Sequence, residues 1–257
     1  MPETDFDKMT AVPQKALSAF RKDLRALGAP AGLVARLVGF LKTRHPGNQE
    51  RIYHSFAHTI EVAALTTRML HRWPKVPADR KVLIALAAAL HDLDPERYPG
   101  TPARVGATLE YLQGHEDAHD LVSEFCDRFH FTPGQIGALI MATDYSADKK
   151  EHSRMQDAFK RAHKYAFGDD PWIDEWGRRL AFWDKIATYL ENEPDESRRR
   201  VAGLGRELRR LGEWRRPKAG LTGVSRDFLL ALKKHELYSY LPKKDRARFE
   251  KVVKLFA

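Results

Sequence analysis

Apolar residues recur at intervals of three and four along most of this chain. No stretch alternates with the period of two that marks a strand. Ala16, Leu17, Phe20, Leu24 and Leu27 form one stripe between Pro13 and Leu27, which predicts an amphipathic helix stopped by Gly28-Ala29-Pro30. Leu33, Val34, Leu37, Val38 and Leu41 predict a second helix ending near His45-Pro46-Gly47. A third carries His54 and His58, continues through Ile60, Val62, Leu65 and Leu70 to about Arg72, and is closed by Trp73-Pro74. Pro77-Ala78-Asp79 opens a fourth, whose run from Val82 to Leu90 is apolar all round and therefore buried; it ends in His91-Asp92.

Three prolines and a glycine make Leu93–Pro102 a loop. Helices are then expected at Val105–Leu112 and Asp117–Phe129, and after Thr132-Pro133, where threonine reads as an N-cap and proline suits the first turn. That last helix delivers Ala142-Thr143-Asp144-Tyr145-Ser146. Residues 151–166 read as a polar helix and Trp172–Leu190 as an amphipathic one. Glu191–Glu196 reads as an acidic break, followed by a basic helix over 197–213, a loop through Pro217 and Gly223, and two short helices. Residues 1–10 read as disordered. The expectation is an all-α chain: an N-terminal helical cap (1–50), a core (51–192) and a basic C-terminal helical extension (193–257).

Composition narrows the classes. A chain of 257 residues is long enough for a proper core, and a single cysteine excludes an internal disulfide framework. Cys126, in an apolar setting, reads as a small core residue, and so do Trp172, Trp176 and Trp183. The longest apolar run is too short to span a bilayer, and no apolar leader is visible, so a soluble, cytoplasmic protein without membrane contact is expected. The formal charge of +9 gathers at Arg198-Arg199-Arg200, Arg206, Arg209-Arg210, Arg215-Arg216 and Lys218, with a second set at Lys233-Lys234 and Lys243-Lys244. A solvated helix face accounts for such runs most simply. A surface for phosphate or nucleic acid is the second account.

The chemistry gathers at Tyr53-His54-Ser55-Phe56-Ala57-His58 and at His91-Asp92. On a helix, His54 and His58 would share a face one turn apart. Two adjacent polar groups at the end of a buried helix are costly unless something pairs with them, and a divalent metal is an economical partner. Imidazole with carboxylate suits Mn, Mg, Fe, Ni or Zn. His115 and His119 repeat the four-residue spacing, but their segment is polar enough to be surface.

This arrangement resembles the HD superfamily of metal-dependent phosphohydrolases, whose pattern is a lone His, an adjacent His-Asp pair and a distant Asp on a later helix. The resemblance covers about residues 51–192. It implies an HD-domain helical bundle with His58, His91 and Asp92 as metal ligands. It implies Asp184 as the fourth, from Leu180-Ala181-Phe182-Trp183-Asp184-Lys185, with Asp174 and Asp157 as competitors. Tyr53-His54-Ser55-x-x-His58 is similar to the Tyr-His-Asn-x-x-His of class I cyclic nucleotide phosphodiesterases, in which the first His donates a proton. Ala142-Thr143-Asp144-Tyr145-Ser146 is similar to their Ala-Thr-Asp-Met-Ser, which implies that Thr143 and Asp144 orient ligands or waters. Ser55 stands where that family has Asn, and the glutamine and hydrophobic clamp that hold a purine are absent. Phosphate chemistry therefore transfers, and ring specificity does not.

The resemblance implies one or two divalent ions, the second sharing Asp92. They would lower the pKa of a bound water and hold a phosphate between them. His54 would protonate the leaving oxygen. The expected activity is hydrolysis of an anionic small-molecule phosphoester, a nucleotide phosphodiester first and a nucleotide phosphomonoester second. The rival from another class is a non-catalytic HD module that binds nucleotide or nucleic acid through the basic C-terminal helices.

Overall fold

The computed structural model describes residues 11–45, 53–93, 105–143, 171–210 and 221–256. These form eleven α-helices and one 3-10 turn, with no strand among the described residues, so the chain is all-α as its periodicity indicates. In chain order the helices are α1 (Gln14–Ala26), α2 (Ala31–Arg44), α3 (Phe56–Leu70), α4 (Ala78–Leu90), α5 (Val105–Gly114), α6 (Glu116–Phe129), α7 (Pro133–Met141), α8 (Pro171–Glu191), α9 (Pro194–Arg210), α10 (Leu221–Lys234) and α11 (Lys243–Leu255). The 3-10 turn, Glu236–Tyr240, joins the last two.

Helix α3 is the axis of the bundle. Every residue in it except Arg68 is buried. It can be apolar all round because α1, α4 and α8 each pack along a different side of it. Helix α1 supplies the stripe expected of it, with Phe20 and Leu24 fully buried, and each such side chain contributes roughly 1.5–3 kcal/mol. The αL turn at Gly28 (φ 100°), where a side chain would be strained, ends α1 and lets Pro30 start α2. Helix α4 is buried from Lys81 to Leu90 and packs on α3 and α7. Cys126, Trp176 and Trp183 are core residues as expected, and Trp172 packs against the core from its edge. Apolar residues from both sides of residue 193, including Val201, Leu229 and Phe249, belong to the same core.

Two boundaries differ from the sequence reading. Helix α9 begins at Pro194, inside the stretch read as a break, because proline fits a first turn and Asp195 and Glu196 complement the dipole there. Helix α10 begins at Leu221, so Leu221-Thr222-Gly223 is helix and not loop. The start of α7 is as expected. Thr132 and Gln135 form a reciprocal capping box, with Thr132 N–H donating to Gln135 Oε1 at 2.9 Å. Most of the Leu93–Pro102 loop, the helix at 151–166, and Asp144 and Asp157 lie outside the described residues.

Gly177 on α8 meets Ala142, just past α7, with no room for a methyl: a Cβ there would lie 2.6 Å from the Ala142 Cβ. Gly177→Ala gains about 1 kcal/mol in helix propensity but must push the end of α7 away, an overpacking cost of about 1–3 kcal/mol. The clash should win. We expect Gly177→Ala to lower the melting temperature by about 2–4 °C. A rise on thermal denaturation would mean that the two helices are not this close.

Candidate metal centre

The His54-to-His58 stretch is not one continuous helix. Ser55, extended at φ −139° and ψ 173°, is the N-cap of α3, so His54 lies in the turn before it. The reason is a carboxylate from far along the chain. Glu207 on α9 accepts the backbone N–H groups of Tyr53 at 2.8 Å and His54 at 3.2 Å through Oε2, which anchors the turn outside the helix. The two imidazoles still end beside each other, with ring centroids 5.9 Å apart. Ser55, where the resembled family has Asn, is fully buried and donates its hydroxyl to Tyr53 O at 3.3 Å.

His58 on α3, His91 and Asp92 just past α4, and Asp184 on α8 converge. One ligand atom from each lies within 4.8 Å of all the others. Asp184 Oδ1 is 3.1 Å from both His58 Nε2 and His91 Nε2. Asp92 Oδ2 is 3.1 Å from His91 Nε2 and 3.5 Å from His58 Nε2. The imidazoles are buried, while both carboxylates keep some exposure, so the cluster opens on the carboxylate side. His91 Nδ1 is 2.9 Å from Ala88 O, which accepts only; the proton is therefore on Nδ1 and Nε2 is the nitrogen offered to the cluster. Two nitrogen and two oxygen donors converging on one point fit a divalent ion.

The electrostatics agree with that donor set. Burial works against a charge on His58, but Asp184, Glu61 and Asp92 outweigh it and lift its pKa to about 9. His91 is raised well above the ordinary histidine value; burial opposes the shift there too, and Asp92 and Asp184 overcome it. Burial likewise disfavours charge on the two carboxylates, yet His91 first, followed by His54 and then His58 at Asp92 and by His58 at Asp184, holds both far below the usual range. The pocket therefore demands positive charge, which protons supply on the imidazoles and which a metal ion would supply in their place.

Asp184 is thus the carboxylate that joins the cluster, while Asp174 is exposed and Asp157 lies outside the described residues. Lys185 Nζ stands 3.9 Å from the other oxygen of Asp184. Thr143 is buried and donates its hydroxyl to Ile140 O at 2.7 Å, so toward a ligand or water it has only lone pairs to offer. His119 is exposed and His115 stacks on Tyr111 with centroids 4.0 Å apart; neither belongs to a ligand cluster among the described residues.

Three further residues of the site gave no signal in the sequence. Glu207 accepts from His54 Nδ1 at 2.6 Å through Oε1. Burial pushes the Glu207 carboxyl up, but His54 and the two backbone N–H groups outweigh it and bring it to about 2. Glu61, one turn after His58, is fully buried and paired with Arg200 at 3.1 Å. Burial opposes its charge, and Arg200 first and His58 next hold it at about 2. Arg200 itself is buried, so of the Arg198–Arg200 run only Arg198 and Arg199 belong to the solvated face.

Comparison with protein-family models, with curated proteins and with solved structures finds no match. No helix among the described residues is long and apolar enough to cross a membrane.

Proposed function

We propose that the protein is a metal-dependent phosphohydrolase of the HD type that cleaves a nucleotide phosphodiester. The observation that carries this reading is the meeting of His58, His91, Asp92 and Asp184, drawn from three helices and 126 residues of chain, at one partly open point. These four side chains would hold the ion. A divalent ion held there supplies a water acidified to near neutral pH and polarises a phosphoryl oxygen. His54 lies beside the cluster, about a quarter exposed, with Nδ1 engaged by Glu207 and Nε2 left for the substrate. A proton on that Nε2 passes to the leaving oxygen as the P–O bond breaks; the N–H electron pair stays on the ring, a contribution of roughly 10²–10⁴ in rate. Glu207 stabilises the imidazolium before the transfer and keeps the ring turned toward the cluster.

The test is metal analysis of the purified protein, then stripping, reloading with Mn, Mg, Fe, Ni or Zn, and assay on cyclic and linear phosphodiesters and phosphomonoesters of nucleotides. Turnover of a diester with at least one metal, lost in a folded His91→Ala variant, is the expected result. Turnover confined to monoesters replaces the diester by the monoester reading. Absence of product with every metal removes the enzyme reading. The binding-module alternative would then predict salt-dependent binding that weakens when Arg198 and Arg199, both exposed on α9, are neutralised.

A further inference from the structure

Behind His58 lies a buried chain of polar groups whose hydrogens can run in one direction only. Glu61 Oε1 faces the Asn192 amide nitrogen at 2.8 Å and Arg200 Nη2 at 3.1 Å, both donors. Glu61 Oε2 accepts from the Thr188 hydroxyl at 2.6 Å. That hydroxyl has a single proton and a carboxylate can only accept, so the proton points at Glu61 and the Thr188 oxygen is left as an acceptor. The oxygen stands 3.0 Å from the Tyr53 hydroxyl and 3.5 Å from His58 Nδ1. Both must therefore donate to it. With the proton on Nδ1, Nε2 is the nitrogen that faces Asp92 and Asp184.

The two ligand histidines are thus oriented by different means. His91 points Nδ1 at a backbone carbonyl, which cannot reverse. His58 points it at a hydroxyl, which accepts or donates according to what lies behind it. This difference gives a reason for a fully buried carboxylate and a buried arginine at this place, groups that are costly to bury. We propose that Glu61, held by Arg200 and Asn192, is a positioning residue that fixes His58 as its Nδ1–H tautomer through Thr188 and so presents Nε2 to the divalent ion. The inference rests on the metal-centre reading above and adds to it how α9, through Arg200, becomes part of that centre.

Two variants separate this from a merely structural role. In Glu61→Gln the carbonyl oxygen faces Arg200 and Asn192, and the amide NH2 faces Thr188. The hydroxyl then donates to His58 Nδ1, and a neutral ring carries its proton on Nε2, the ligating nitrogen. Thr188→Val keeps the Glu61–Arg200 pair and removes the hydroxyl link together with the acceptor of the Tyr53 hydroxyl, while Glu61 Oε2 stays 3.8 Å from His58 Nδ1. Mn2+ affinity is measured by calorimetry on the full chain, and the ring Nδ1–H of His58 is followed by proton–nitrogen NMR in metal-free protein at a pH above about 9, where the ring is neutral. We expect Glu61→Gln to bind Mn2+ about 10–100-fold more weakly, with Thr188→Val less affected, and the Nδ1–H resonance displaced in both. Affinity within about twofold of wild type in both variants, with that resonance in place, overturns the proposal. Should the wild type bind no Mn2+ while the resonance still depends on Glu61, the metal reading fails and the positioning of His58 stands. Should Glu61→Gln fail to fold, Thr188→Val alone decides by the same two readouts.

Discussion

On the proposed function, Asp184→Asn should abolish metal binding and turnover while leaving the fold in place. Asp184 Oδ1 is the one atom that both ligand imidazoles approach at 3.1 Å, so the substitution removes a formal charge from the centre of the donor set without changing its volume. Loss of a group that only orients a ligand costs about 10–100-fold in metal affinity, so loss of a charged ligand should exceed 100-fold. Turnover should fall to below about 1% of wild type, since the acidified water goes with the ion. The readout that does not depend on knowing the substrate is thermal. At about 100 times its Kd, Mn2+ should stabilise the wild type by about 2.7 kcal/mol, or roughly 5–10 °C for a chain of this size, and should not move the variant. Asp174→Asn, at an exposed position on the same helix, is the control and should behave as wild type. A full complement of ion in Asp184→Asn would sink the proposed ligand set.

How much of this was legible in the chain depended on where each residue's partner lay. The bundle was legible because its stripes are apolar: Phe20 and Leu24 of α1, and all of α4 after Arg80, are buried where periodicity places them. His58, His91 and Asp92 stood out because buried helices end in polar pairs only for a reason. Asp184 came from a family resemblance, and the backbone places it where that resemblance implied. The other half of the site was illegible because α9 reverses the usual code. Its inward face is Ser197, Arg200, Gly203, Gly205 and Glu207 with little apolar material beyond Val201, so a hydrophobic pattern reads that face as solvated. Arg200 and Glu207 are seven residues apart, two turns on one side, and each meets a polar group that the core presents: Arg200 the Glu61 carboxylate behind His58, Glu207 the ring of His54. A helix whose buried face is chosen by electrostatics cannot be told from a surface helix without its partners.

The same helix carries the second large effect. Glu207 uses Oε2 for two backbone N–H groups and Oε1 for His54 Nδ1. Glutamine fills the same space, but its oxygen is needed by the backbone donors, so its NH2 turns toward His54 and donates to Nδ1. The ring is then held neutral, with its remaining proton on Nε2 and no carboxylate to stabilise the imidazolium. Glu207→Gln should therefore lose most of the general-acid contribution, about 10²–10⁴ in kcat, while metal content is unchanged, because the hydrogen bonds of Glu207 described above go to Tyr53 and His54, outside the four-ligand cluster. The loss should shrink for a nitrophenyl diester, whose leaving group departs without a proton. Stability supplies an independent check. The Glu207 carboxyl is at about 2 in the folded protein, below the ordinary value of about 4.3 for an unfolded glutamate. A depressed carboxyl lends stability that is complete above the unfolded value and is lost as pH falls through the folded one. The contribution is up to about 3 kcal/mol, and it should fade between about pH 4.5 and pH 2. Glu207→Gln should thus be less stable than wild type at pH 7 and converge with it in acid, although Glu61 still titrates in both. Equal losses of turnover on natural and nitrophenyl esters would place Glu207 in the scaffold alone and leave His54 without its proton-holding partner.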